Sequence, residues 1–151
     1  MSEYKLAVEI IARSVANAWD DAKHEWELHE IFEVLEPETC LCGHFPIIEL
    51  CVLRNKKHGG FATVGNVCVN NFLGLASDKI FTSIKRVRKN AEKSLNAETI
   101  SFAFDKGWIS QWDRGFYLDI RRKRNLTANQ SRHKTRINLR VLSMVKRTRA
   151  S

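Results

Sequence analysis

The sequence predicts an α+β fold: one N-terminal helix, a small antiparallel sheet stapled through cysteines, and a basic half built of helices. Three observations carry this. Apolar residues recur at helical spacing near the start, switch to a period of two, and return to helical spacing in the second half. All four cysteines, Cys40, Cys42, Cys51 and Cys68, fall within 29 of the 151 residues. Charge is graded along the chain, with balances of −7 over residues 1–39, +2 over 40–76 and +13 over 77–151. The boundaries that follow are 1–24 for the first helix, 25–76 for the cysteine-containing hairpin module and 77–151 for the basic helical region.

Taken in order, Val8, Ile11, Val15, Ala18, Trp19 and Ala22 mark one face of a helix over residues 3–22. Trp26, Leu28, Phe32 and Val34 then alternate with mostly charged residues, which predicts a strand over 25–34 ending near Leu35 and Pro37. The runs 45–54 and 61–64 flank Asn55-Lys56-Lys57-His58-Gly59-Gly60, a hairpin connection whose paired glycines supply positive φ. A helix through Val69, Phe72 and Leu73 follows. Ser77 and Asp78 open another, with Ile80, Phe81, Ile84, Val87 and Ala91 on one face. Asn96 caps the next, which Gly107 ends. A further helix from about Ser110 is predicted to bury Trp112, Phe116 and Ile120. The last starts at the capping box Thr127-x-x-Gln130 and runs to about Arg147.

Four thiols crowded into one segment, without the apolar core of a secretion signal at the N-terminus, point to a metal site and not to disulfides. Cys40-Leu41-Cys42-Gly43-His44 reads as a tight knuckle, Cys51 lies in the first hairpin strand, and Cys68 stands where a helix begins. Knuckle, hairpin and helix in that order are the parts of a treble-clef-like Zn²⁺ site. Four thiolates from Cys40, Cys42, Cys51 and Cys68 would close the tetrahedron and leave a structural metal; His44 or His58 is the alternative to Cys51 as fourth ligand.

Glu25-Trp26-Glu27-Leu28, Cys-x-Cys-Gly-His, Asn55 before a Gly-containing turn, and Val64-Gly65-Asn66-x-Cys68-Val69 with Phe72 together resemble a recurrent zinc-binding module of small bacterial, phage and plasmid proteins. The likeness covers residues 25–74. It implies zinc and a mobile-element setting. In that module the first pair is commonly Cys-x-x-Cys, and the third ligand lies nine residues after the second, where this sequence has Cys51.

The basic half has its own pattern. Arg132, Arg136 and Arg140 repeat every fourth residue and Arg147 returns to the same face, beside an apolar arc of Ile137, Val141, Met144 and Val145. Like charges at that spacing repel by a few tenths of a kcal/mol, roughly, unless an anion meets them. Arg121-Arg122-Lys123-Arg124 add four consecutive cations, and Lys85, Lys89 and Lys93 a second stripe. The segment from Gly107-Trp108-Ile109-Ser110 through Phe116-Tyr117, Arg121–Arg124 and Asn125-Leu126-Thr127 to Gln130 resembles a helical pair of bacterial and phage DNA-metabolism proteins, with a turn that could dock as a helix-turn-helix does.

No HExxH, Walker A, GxGxxG, GxSxG or zinc-deaminase pattern is present. His44 with Asn66 or Asn70 is the nearest imitation of a His/Asn nuclease site, without an evident second metal-binding histidine. The tryptophans each fall on an apolar face, which predicts core positions and not base-stacking ones. The expectation is therefore a non-catalytic, zinc-containing, nucleic-acid-binding accessory or regulatory factor, with DNA ahead of RNA as partner. The other class is a protein-interaction factor or inhibitor that docks on a host nucleic-acid machine such as an RNA polymerase or a defence complex. A cytoplasmic location with no membrane contact is expected, since no run approaches the roughly 18–20 apolar residues a span requires.

Overall fold

The structure, a computed structural model, describes residues 3–145; Arg147 lies outside the described residues. It is a mixed helix and sheet protein with seven α-helices and one three-stranded antiparallel sheet among those residues. The chain forms two units, which divide between Asp78 and Lys79.

The first unit holds α1 (Glu3–Ala12), α2 (Trp19–Ala22), β1 (Trp26–Glu38), β2 (Ile47–Asn55), β3 (Phe61–Gly65) and α3 (Asn66–Cys68), the last running on as a π-helical turn over Val69–Leu73. The single helix predicted over 3–22 is thus cut after Ala12. The cause is Glu25, a carboxylate buried to 3% exposure. Its two oxygens accept the backbone N–H groups of Val15 and Ala16 at 2.8 and 2.7 Å, the donors a continuing helix would direct at its own carbonyls. Asn55 also donates to it at 3.0 Å, and this bond first, then the two backbone donors, hold the carboxyl down at about 2 against the opposing effect of burial. With the helix broken, Val8 and Val15 stay exposed while Leu6 and Ile10 are fully buried.

The strand is longer than predicted and changes phase. A register shift between Leu28 and Glu30 makes Ile31 the partner of Cys51, so Ile31 is buried and Phe32 only half-buried. A second irregularity falls between Glu33 and Glu38. The β2–β3 hairpin is organised by Asn55, whose side-chain oxygen accepts from Lys57 and His58 N–H at 2.8 and 3.1 Å. Of the paired glycines only Gly59 takes positive φ, at 79°.

The second unit contains α4 from Lys79 onward (the helix is Ser77–Lys89), α5 (Ala97–Asp105), α6 (Gln111–Ile120) and α7 (Ala128–Met144). The predicted caps form. Asn96 accepts from Thr99 N–H at 3.0 Å, and a capping box closes on Thr127–Gln130; a further box, on Ser110–Asp113, was not predicted. α5 ends in a Schellman pattern, with Gly107 N–H on Phe104 O and Trp108 N–H on Ala103 O, both at 2.9 Å. α4 stops at Lys89 because Asn90 turns its side chain onto Glu92 N–H at 3.0 Å. Ala91 and Lys93, predicted on that helix, therefore sit in the following loop.

A buried polar chain ties this unit together. Tyr117, fully buried, donates its hydroxyl hydrogen to Asn138 Oδ1 at 2.6 Å and accepts Leu95 N–H at 2.8 Å. The Asn138 amide in turn donates to the carbonyls of Ala91 and Lys93 at 2.7 and 2.8 Å. These bonds fix the face α6 turns inward: Tyr117 and Ile120, not the predicted Trp112 and Phe116. Trp112 is 66% exposed and Phe116 half-buried.

Candidate functional site

The cysteine cluster is assembled by a turn and a helix start. Gly43 N–H donates to Cys40 O at 2.8 Å and Cys40 N–H to His44 O at 2.9 Å, closing the knuckle, and Gly43 adopts φ 91°, a conformation open to glycine with little strain. The hairpin then brings the chain back so that Cys68, third residue of α3, meets the knuckle. One ligand atom from each of Cys40, Cys42 and Cys68 lies within 4.8 Å of the other two, all three residues are buried, and none is in a disulfide. Two sulfurs of a tetrahedral zinc site, each about 2.3 Å from the ion, stand about 3.8 Å apart, inside the 4.8 Å that bounds this group.

Backbone N–H groups are aimed at two of the sulfurs. Gly65 N–H points at Cys40 Sγ at 3.3 Å and His44 N–H at Cys42 Sγ at 3.4 Å. A Cβ on Gly65 would stand 3.4 Å from that same Cys40 sulfur and 3.2 Å from Ile47, so the backbone comes this close because no side chain is there. Cys40 is held down, first by the hydrogen bond from the Cys68 thiol and then by backbone N–H groups, while Cys68, the donor in that bond, is pushed up. Three buried sulfurs with N–H donors suit a thiophilic ion.

Cys51 is not in this group. It sits fully buried in β2, between Ile31 on β1 and Val64 on β3, near Ser77 and Glu49, and burial pushes its thiol up to about 12. Neither histidine alternative joins the cluster among the described residues. His58 is engaged elsewhere, with Nε2 on Arg13 O at 2.7 Å and Nδ1 accepting Gly60 N–H at 3.0 Å. The nuclease-like pair does not form around Asn66 either. That side chain is buried, donates to Glu49 and Asp78 at 3.1 and 3.3 Å and accepts the Ser77 hydroxyl at 2.6 Å, whereas Asn70 contacts Asn71.

In the basic half, Arg132, Arg136 and Arg140 are all exposed along α7, and none of them belongs to an ion pair among the described residues. Lys85 and Lys89 are exposed on α4; Lys93, though exposed, is in the loop. Arg121 caps α6, and Arg122, Lys123 and Arg124 follow it in the connection to α7. That connection takes residues 121–127, longer than the turn of about 3–4 residues in a helix-turn-helix. Two features escaped the sequence reading. Lys134 is buried, and burial lowers its pKa. Trp112, Phe116 and His133 form an aromatic cluster beside the arginine row.

The chain matches no family model, no curated protein and no solved structure. No helix among the described residues is long and apolar enough to cross a membrane.

Proposed function

We propose that this chain is a non-catalytic, zinc-stabilised nucleic-acid-binding accessory factor, with DNA ahead of RNA as its partner. The observation that carries the reading is the row Arg132, Arg136 and Arg140 on α7, exposed and outside every ion pair among the described residues. Such a row is mildly unfavourable alone and is relieved by phosphates. Zn²⁺ would be held by Cys40, Cys42 and Cys68, with Cys51 as the buried candidate for the fourth position, and would act as a structural staple. The resemblance of residues 25–74 to modules of small bacterial, phage and plasmid proteins supports a mobile-element setting.

The test is the salt dependence of duplex DNA affinity. Each phosphate contact contributes about 0.9 to the slope of log K against log salt, so replacing Arg132, Arg136 and Arg140 with Gln lowers the slope by about 2–3. Equal affinity and slope in the variant would refute the assignment.

A second reading, a protein-interaction factor docking on a host nucleic-acid machine, is favoured by one observation. Leu35, Phe45, Ile48 and Phe61 in the first unit are all more than 45% exposed. A complex recovered from lysate that survives nuclease treatment, and is lost when Phe45 and Phe61 become Ser, would support it over DNA binding.

A further inference from the structure

The row of arginines borders an aromatic cleft. Trp112 and Phe116, one turn apart on α6, stack with ring centres 5.4 Å apart and planes 9° from parallel. The His133 ring of α7 stands edge-on to both, at 4.9 and 4.7 Å. Asp113 Oδ1 accepts a hydrogen bond from His133 Nε2 at 3.0 Å, and the same carboxylate closes the α6 capping box, so the imidazole is fixed from the helix start. Arg132 and Arg136 line this open cleft of about 330 Å³, with Asn129 and Gln130. A second cleft of about 480 Å³ lies across α7, lined by Glu92, Ser131, Thr135 and Leu139 and sharing Arg132 and Arg136. The two arginines thus form a cationic ridge with a depression on each side.

A large exposed indole is an unusual way to use a tryptophan, because its apolar surface gains nothing from water. Here it is pre-ordered by a stacked neighbour and set against guanidinium groups. That pairing of a flat π-surface with adjacent cations is what binds an unpaired base and its flanking phosphates. A duplex keeps its base faces stacked and hidden, so it can use the ridge and not the indole.

We infer that the α6–α7 cleft binds single-stranded nucleic acid, with one unstacked base on Trp112 and the adjoining phosphates on Arg132 and Arg136. This rests on the nucleic-acid reading above and adds strand preference to it. Asn129 and Gln130, whose side-chain oxygens are already engaged by Arg132 and by Thr127 N–H, leave amide N–H groups at the cleft as donors to the base edge.

The experiment compares binding of a roughly 12-nucleotide oligothymidylate and of a duplex of the same length to full-length protein at low salt. Trp112→Leu should weaken single-strand binding roughly 5- to 150-fold and leave duplex binding unchanged, and Trp112→Phe should restore most of the loss. Arg132→Gln with Arg136→Gln should weaken both. If Trp112→Leu binds the oligothymidylate as wild type does, or loses both ligands equally, the cleft assignment is wrong while the basic-surface reading stands. Wild-type protein that binds neither nucleic acid overturns both. Melting curves for the two Trp112 variants, expected within a few degrees of wild type given the exposure of that side chain, separate a lost platform from a lost fold.

Discussion

Removing one oxygen atom, in Tyr117→Phe, tests whether the buried polar chain holds the helical unit together. The hydroxyl makes two buried hydrogen bonds, to Asn138 Oδ1 at 2.6 Å and from Leu95 N–H at 2.8 Å. Burial pushes the phenol up to about 12, so it is a neutral donor at any working pH. Phenylalanine fills nearly the same volume, which leaves little cavity cost. It does leave the Leu95 N–H without its acceptor in a site water does not reach. A net bond is worth about 1 kcal/mol and an orphaned buried group about 1–3 kcal/mol, so the expected loss is about 2–4 kcal/mol. For a chain of this length that lowers Tm by about 5–15 °C. Urea unfolding followed by circular dichroism measures it directly, with an unchanged m-value as the control that the unfolding reaction is the same. Asn138→Ala should cost more, since it also frees two carbonyls, and the double variant should lose less than the sum, because the two side chains share a bond. A Tyr117→Phe protein within about 0.5 kcal/mol of wild type would refute the view that this chain orients α6 against α7.

Glu25 sets a pH window. Its carboxyl drops from an ordinary 4.5 to about 2 on folding, so its contribution is complete above pH 4.5 and is lost as pH falls from there through about 2. Glu25→Gln should lower the urea midpoint at neutral pH and flatten its fall across that window, and parallel pH curves for the two proteins would count against the clamp. Purified protein should carry about one equivalent of zinc by elemental analysis, with Cys42→Ser lowering both metal content and Tm. Metal-free protein of equal stability would remove the staple. In cobalt-substituted protein, Cys51→Ser should shift the visible ligand-field bands if Cys51 completes the tetrahedron; an unchanged spectrum assigns the fourth position elsewhere.

What could be read from the sequence was mostly what local chemistry decides. Caps at Asn96 and Thr127 depend on a side chain reaching a backbone N–H three residues on, so residue type and spacing suffice. The knuckle could also be read from its spacing, since Gly43 marks the turn. The break after Ala12 could not, because the group that takes the N–H bonds of Val15 and Ala16 comes from Glu25, a residue whose own periodicity places it in the next element. A single extra residue near His29 reversed the alternation of β1, and period-two reasoning has no warning of a bulge. Trp112 was misplaced for a third reason. The apolar stripe of α6 is wide, and the hydrogen bonds of Tyr117, made to residues far along the chain, chose which part of it faces inward. The cysteines divide the same way: Cys40, Cys42 and Cys68 meet, while the position of Cys51 follows its strand register.

The order β1-β2-β3 leaves the sheet with an open edge on either side. Such edges invite a strand from another molecule, a second copy of the same chain included. β3 offers only five residues. β1 is 13 residues long, but it is broken by two register shifts, carries exposed Glu30 and Glu36, and includes Pro37, which has no N–H to lend to a ladder. The negative charge of the first 39 residues therefore has a use that requires no partner. It discourages edge-to-edge pairing between the sheets of two copies.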